Sequence, residues 1–93
     1  MKCEIQGGRS GFIRFEDGER RASLEWETLV GEVQVVVYAS GCKWTLPTEM
    51  PMARADIEAV VQECANLRGV IACVSFPNGS ETVFRPNNGR AKK

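Results

Sequence analysis

Hydrophobic and polar residues alternate along the first half of the chain, and three short turn signals interrupt the alternation: Asp17-Gly18, Gly31-Glu32 and Ser40-Gly41. Directly opposed residues of an antiparallel strand pair share a face, so each two-residue turn determines which residues lie together. All three turns place the same apolar residues on one side of a sheet: Ile13, Phe15, Ala22, Leu24, Trp26, Val35, Val37, Trp44 and Leu46. A slip of one residue at any turn would destroy this agreement. The pattern therefore predicts an antiparallel β-meander with strands at about 12–16, 20–30, 33–39 and 42–46.

The predicted register opposes specific pairs of residues. Glu16 faces Glu19 in the first hairpin, an unfavourable pair of like charges that a longer connection would relieve. Trp26 faces Val37 in the second hairpin, and Val37 faces Trp44 in the third. Since both indoles are large and lie on the apolar side, we expect them to anchor the core.

The second half of the chain predicts one helix followed by a β-hairpin. Between about 52 and 67, apolar residues recur at spacings of three and four, which is typical of a helix with one buried stripe. The stripe comprises Ile57, Val60, Val61, Cys64 and Leu67. Gly69 then suits the left-handed position that ends a helix. Two strand-like segments, at about 70–76 and 81–85, flank the turn signal Pro77-Asn78-Gly79-Ser80. We expect the helix to bury its stripe against the apolar face of the meander.

Length, composition and charge are those of one small soluble domain. The chain has 93 residues, of which 43% are hydrophobic and 26% charged, enough for a single core. We assign this α+β domain to residues 1–86 and expect the polar, basic tail at 87–93 to be disordered. The formal net charge is zero, so no long-range field is expected to attract nucleic acid or a membrane. The apolar runs are far too short to span a membrane.

Residue types that carry chemistry are scarce. The chain has no histidine, which removes the commonest general base and the commonest metal ligand. The four cysteines, at positions 3, 42, 64 and 73, have no C-x-x-C spacing, and each lies in an apolar pattern. We therefore expect buried, reduced thiols in a cytoplasmic protein and no zinc site. Glu25 and Glu27 share a strand face, but a paired-carboxylate enzyme needs a cleft. The sequence predicts no enzyme, no metal site and no cofactor.

The sheet face opposite the apolar set is the candidate for function. In the predicted register it carries Phe12, Arg14, Arg21, Ser23, Glu25, Glu27, Leu29, Val36, Tyr38, Lys43 and Thr45. Charges mixed with a few apolar anchors are typical of a protein-binding surface. We select the following as partner-binding residues: Phe12, Glu25, Glu27, Val36, Tyr38 and Lys43. Alternatively, a short strand predicted at 2–6 or the terminal hairpin covers part of this face, because periodicity does not decide which face a hairpin occupies.

A series of short motifs runs from about residue 11 to residue 76: Ile13-Arg14-Phe15, Leu24-Glu25-Trp26-Glu27, Val37-Tyr38-Ala39, Lys43-Trp44 followed by Pro47, and Arg68-Gly69 at the end of an acidic helix. Together they resemble a family of small bacterial immunity proteins of polymorphic toxin systems, the immunity family numbered seventy-four. Phe15 stands where the family pattern has a tyrosine. The resemblance implies a domain that neutralises a cognate toxin domain by direct binding. It also implies that Glu27 and Tyr38 lie on the binding face and Trp44 in the core.

Two other classes of function stay open from the residues. A module for single-stranded nucleic acid would stack bases on Phe12 and Tyr38, near the cations of Arg14, Arg21 and Lys43. The zero net charge and the two glutamates on the same face argue against it. A structural module would pair through an exposed edge strand, so a homo-oligomer is compatible with the sequence.

Overall fold

The structure, a computed structural model, describes residues 2–6 and 9–86. It is an α+β fold built from one mixed sheet and one helix. The strands are Lys2–Gln6 (β1), Ser10–Glu16 (β2), Arg21–Thr28 (β3), Val35–Leu46 (β4), Met50–Pro51 (β5), Ala72–Ser75 (β6) and Glu81–Phe84 (β7), and the helix is Arg54–Arg68 (α1). The tail predicted at 87–93 lies outside the described residues.

The strands follow the order β1-β2-β3-β4-β6-β7, and the short β5 pairs with the C-terminal part of β4. Neighbouring strands are antiparallel except β4 and β6, which run parallel. A parallel pair needs a long crossover, and α1 lies in the connection between these two strands. The terminal hairpin β6–β7 therefore extends the sheet beside β4, and β1 extends it beside β2. Neither segment covers the face opposite the helix, which resolves the alternative left open by the sequence.

The first hairpin differs from its predicted register by two residues. Glu16 pairs with Arg21 and not with Glu19, and the two side chains form an ion pair at 3.4 Å. The connection is longer than two residues, and within it Asp17 accepts a hydrogen bond from the backbone N–H of Arg20. The longer turn replaces an opposed pair of like charges by an opposite-charge pair. Because the shift is even, every side chain keeps its predicted face.

The segments predicted as separate strands at 33–39 and 42–46 form the single strand β4. The prediction of a third hairpin at Ser40-Gly41 is therefore wrong. Both ends of β4 pair with β3, and between them the register shifts from Glu25 opposite Tyr38 to Ser23 opposite Lys43. An irregularity of this kind is a β-bulge, which changes the phase of the alternation inside a strand. In a sequence, a bulge at small residues and a two-residue turn both shift the alternation of apolar and polar residues, so the pattern does not distinguish them.

The core lies between α1 and one face of the sheet. It consists of Ile13, Phe15, Ala22, Leu24, Trp26, Val35, Val37, Cys42, Trp44, Met52, Ile57, Val60, Val61, Cys64, Ala72, Val74 and Phe76. Two residues predicted in the core, Leu46 and Leu67, are exposed instead. A second register shift opposes Leu46 to Arg21, whose side chain lies on the outer face of the sheet. Leu67 lies in the last turn of α1, at the margin of the apolar stripe. Near this end of the helix, Ala65 is buried and Leu67 is not.

The ends of α1 follow local backbone chemistry. The helix begins at Arg54, two residues later than predicted, because Ala53 is still extended at φ −70° and ψ 156°. Gly69 ends it in the left-handed conformation at φ 69°, as predicted, and its N–H donates to the carbonyl of Ala65. Within the part of the chain that the structure describes, no helix has the length and apolar character needed to cross a membrane.

Candidate functional site

The outer face of the sheet, opposite α1, brings five of the six predicted partner-binding residues together. Phe12 on β2, Glu25 on β3 and Tyr38 on β4 are consecutive partners in one row across the sheet. Glu27 and Val36 are partners in the adjacent row. We call the surface formed by Glu25, Glu27 and Tyr38 the acidic patch.

The phenol of Tyr38 is held by the carboxylate of Glu27. Its hydroxyl donates a hydrogen bond to Glu27 Oε1 at 2.5 Å. This hydrogen bond is the main cause that raises the pKa of Tyr38, and the negative charges of Glu27 and Glu25 act in the same direction. Tyr38 therefore stays neutral and oriented. A carboxylate has two oxygens with about four acceptor sites, more than a single phenol occupies.

The position of Glu25 depends on the absence of a side chain at Gly41. A Cβ built on Gly41 would lie 2.7 Å from the Cβ of Glu25 and closer still to its Oε1. The Glu25 side chain therefore passes over the bulge of β4. It occupies space that is open only because residue 41 has no side chain. The bulge is also stabilised from the core side, because the Cys42 thiol donates to the carbonyl of Tyr38 at 3.4 Å and accepts from the N–H of Glu25. Both bonds satisfy backbone groups beside the register shift.

Val36 does not lie on the surface as predicted. Only 6% of it is exposed, because β4 is an inner strand with β3 on one side and β6 on the other. Its row continues from Glu27 through Val36 to Cys73 and Val83. Val36 therefore forms the floor of the acidic patch, and Val83, which is 47% exposed, is an apolar neighbour on the same face.

The hairpin β6–β7 adds residues that the sequence analysis missed. Ser75 is the partner of Tyr38 and Glu81 is the partner of Ser75, so a third carboxylate lies in the same row as Glu25. The sequence showed the hairpin but not its place in the sheet, since a parallel pairing through a helix leaves no turn signal. Had that place been known, alternation alone would have put Ser75 and Glu81 on this face.

Lys43 lies apart from the acidic patch. The bulge separates it from Tyr38, and its partner across the sheet is Ser23. Its ammonium group forms an ion pair with Glu49 at 2.5 Å, which lowers the pKa of Glu49. Lys43 therefore does not neutralise the acidic patch.

The other end of the outer face carries a cleft of about 490 Å³ with basic walls. It is lined by Phe12, Arg14, Phe15, Glu16, Arg21, Ala22, Ser23, Thr45 and Leu46. Phe12 borders both regions, because it lines the cleft and is also the partner of Glu25. The outer face thus carries the acidic patch at one end. At the other end lie the guanidinium groups of Arg14 and Arg21, with Glu4 and Glu16 as their partners.

The chemistry available on this face is recognition by charge and hydrogen bonding. Free carboxylate oxygens bind guanidinium and ammonium groups, and Arg–carboxylate pairs are the strongest of these contacts. Over residues 2–6 and 9–86, no three metal-ligating side chains come close enough to hold an ion. Comparison with known protein families, with curated proteins and with solved structures found no significant match.

Proposed function

We propose that the protein is a non-catalytic binding domain that neutralises a cognate bacterial toxin domain by direct contact through the outer face of its sheet. The observation that supports this most strongly is the acidic patch, on a sheet face that no helix or strand of residues 2–6 and 9–86 covers. Glu25 and Glu27 lie beside an aromatic residue, Tyr38, that a carboxylate holds in a fixed orientation. The toxin-binding role itself comes from the resemblance to immunity proteins.

The charge distribution defines the partner surface. Carboxylates of Glu25, Glu27 and Glu81 select a partner that presents arginine or lysine side chains opposite them. Phe12 and Val83 flank the patch as exposed apolar groups, with 51% and 47% of their surface accessible. A few aromatic and apolar anchors surrounded by polar groups are the composition of binding hot spots.

Affinity for the toxin domain encoded beside this gene tests the proposal. Tyr38→Ala should weaken binding by about 2 kcal/mol or more, roughly thirtyfold, as is typical of an aromatic hot spot. Tyr38→Phe keeps the ring and removes the hydroxyl, so it separates apolar contact from hydrogen bonding. Asp56→Asn on α1 is the matched control, since it lies on the helix layer and not on the outer sheet face. Unchanged binding by Tyr38→Ala, with the fold intact, would overturn the proposal.

A second candidate function rests on the basic cleft. Phe12 lies beside Arg14 and Arg21, and proteins that bind single-stranded nucleic acid combine aromatic and cationic side chains in this way. Fluorescence anisotropy with an unstructured oligonucleotide distinguishes the two functions. Salt-sensitive, submicromolar binding that Arg14→Ala abolishes would favour the nucleic-acid function, because phosphate contacts dominate such affinity. We expect no such binding, since the carboxylates of the same face repel phosphates.

A further inference from the structure

Two of the four cysteines contact each other between the edge of the sheet and the helix. Cys3 lies on the helix-facing side of β1, as the partner of the buried Phe15. Cys64 lies on the buried side of α1. Cys3 packs against the core cluster that contains Cys64, where β1 contacts α1, and the Cys64 thiol is the hydrogen-bond partner of Cys3 across this contact. Neither the spacing of 61 positions between residues 3 and 64 nor any sequence motif indicates this pair.

The two sulfur atoms differ in access to solvent. All four thiols are free, but Cys3 is only half-buried whereas Cys64 is buried. The apolar pattern around each cysteine predicts that every thiol is buried, and Cys3 differs because β1 is an edge strand. Cys3 also lines a cleft of about 200 Å³ at the edge of the sheet, together with Lys2, Glu4, Arg14, Glu16 and Arg68. A small oxidant can therefore reach Cys3 first, and Cys64 lies behind it.

The surroundings favour the thiolate at Cys3 and the thiol at Cys64. The hydrogen bond from Cys64 lowers the pKa of Cys3, and the charge of Arg68 acts in the same direction against the effect of burial. The same hydrogen bond and burial raise the pKa of Cys64. A partly exposed thiolate near cations, with a second cysteine beside it, is the arrangement of reactive cysteines in redox-sensitive proteins.

We propose that Cys3 and Cys64 form a reversible disulfide site that hydroperoxides oxidise, with Cys3 as the attacking and Cys64 as the resolving cysteine. This proposal is independent of the binding function, because the pair lies on the helix side of the sheet. Its product joins edge strand β1 covalently to α1.

The reaction proceeds in two balanced steps with hydrogen peroxide as the oxidant. The Cys3 thiolate attacks one peroxide oxygen, so an S–O bond forms, the O–O bond breaks, and hydroxide leaves and takes up a proton to become water. The Cys64 sulfur then attacks the sulfur of the Cys3 sulfenic acid. The S–S bond forms, the S–O bond breaks, and the leaving oxygen takes the Cys64 proton and departs as a second water. Two thiols and one peroxide thus give one disulfide and two waters, and a thiol reductant reverses the change.

The remaining two cysteines serve as internal controls. The thiol of Cys42 is committed to the carbonyl of Tyr38, and burial raises its pKa to about 12. Cys73 lies in the row of Val36 on the opposite side of the sheet from Cys64. Neither is placed to form a disulfide with Cys3.

Peptide mapping of the oxidised protein tests the proposal without any variant. The folded chain is treated with a small excess of hydrogen peroxide, free thiols are blocked with N-ethylmaleimide, and the protein is digested with trypsin. Cleavage after lysine and arginine places the four cysteines in four different peptides: residues 3–9, 22–43, 55–68 and 69–90. We expect one linked species, joining peptides 3–9 and 55–68, and a protein mass lower by two hydrogen atoms. Dithiothreitol should abolish the linked species.

Variants assign the roles of the two cysteines. Cys3→Ser should abolish the loss of thiols, because no attacking thiolate remains. Cys64→Ala should leave Cys3 trapped as a sulfenic acid that dimedone labels, since nothing resolves it. Cys73→Ser should form the linked species like the unmodified chain. Linkage of other peptide pairs in equal amounts, or oxidation of Cys3 without any linkage to Cys64, would overturn the proposal.

Discussion

The hydroxyl of Tyr38 donates to Glu27 Oε1 across the two central strands of the sheet, on the face opposite α1. The two residues are not direct partners in the register, since Tyr38 lies opposite Glu25 and Glu27 opposite Val36. The hydrogen bond is therefore diagonal, and it brings one phenol between two carboxylates. This relationship links the fold of the sheet to the proposed binding surface.

The first prediction concerns the ionisation of Tyr38, which is the one tyrosine of the chain. Because its neutral phenol donates to Glu27, the pKa of Tyr38 is raised. Glu27→Gln should lower that pKa towards the ordinary tyrosine value of about 10. Absorbance of the phenolate during a pH titration measures the pKa of Tyr38 in the unmodified chain and in Glu27→Gln. A pKa that Glu27→Gln leaves unchanged would contradict the hydrogen bond.

The raised pKa of Tyr38 also determines how the stability of the fold depends on pH. A group whose pKa is raised in the folded state contributes stability that is fully present below its unfolded pKa. For Tyr38 that contribution is lost as the pH rises above about 10, the ordinary tyrosine value, and through the raised folded pKa. Unfolding by urea across this range should show a steeper loss in the unmodified chain than in Glu27→Gln.

The second prediction concerns Trp44, which is 6% exposed and lies in the core. Trp44→Ala should lower the free energy of unfolding by about 3–5 kcal/mol, the range for a buried aromatic side chain. The guanidinium of Arg20 lies 4.3 Å from the centroid of the Trp44 ring. Arg20→Ala removes this cation together with its exposed ion pair to Asp17, and it should cost about 0.5–1 kcal/mol. Denaturant unfolding compares the two variants, and a loss below about 1 kcal/mol for Trp44→Ala would place its indole outside the core.

The faces of the sheet could be predicted from the sequence because alternation has a period of two. The even shift of the first hairpin changed the partner of Glu16 and left its face unchanged. The prediction that Leu46 lies in the core is wrong, because a register shift near the end of β4 moves this residue to the outer face. The predicted third hairpin failed for a related reason, since Ser40-Gly41 changes the phase of the pattern without reversing the chain.

The candidate site could be predicted less completely, because a surface also depends on which strands lie beside it. The sequence does not indicate that β6 pairs in parallel with β4, and that pairing buries Val36 and brings Glu81 to the acidic patch. The bulge separates Lys43 from Tyr38, because β4 has more residues than β3 between these two positions. Only the register of the two strands shows this difference. Long-range pairing through a helix thus decides which of the predicted residues lie together.

The third prediction concerns the fit of Glu25 over Gly41. Gly41→Ala should lower the free energy of unfolding by about 1–3 kcal/mol, because its Cβ would overlap the Glu25 side chain. In a Glu25→Gly background the same change should cost clearly less, since the overlapping atoms are gone. A double-mutant cycle by urea unfolding measures this coupling. Ser40→Ala, at the exposed neighbouring position, is the control, and equal costs of Gly41→Ala in both backgrounds would contradict the close approach.

The fourth prediction concerns the charge of the acidic patch. Glu27→Lys replaces a hydrogen-bond acceptor by a cation, so a partner with basic side chains should associate more slowly, by about tenfold at low salt. Raising the ionic strength should reduce the difference, because the Debye length falls from about 10 Å at 0.1 M salt to about 3 Å at 1 M. Stopped-flow association with the proposed toxin partner, at both salt concentrations, measures the effect.

The matched control for this prediction makes the same charge change on the other side of the molecule. Glu63 lies on α1, and Glu63→Lys alters the net charge equally while leaving the outer face intact. We expect it to change the association rate much less than Glu27→Lys, with equal thermal stability of the two variants. If Glu63→Lys slows association as strongly, the binding surface lies on the helix, at Asp56, Glu58, Gln62 and Glu63. Because the Gln62 side chain already donates to the carbonyl of Arg85 at 2.7 Å, that helix surface has one hydrogen-bonding group fewer to offer. The outer face presents three carboxylates, those of Glu25, Glu27 and Glu81, and it is there that we expect the larger effect.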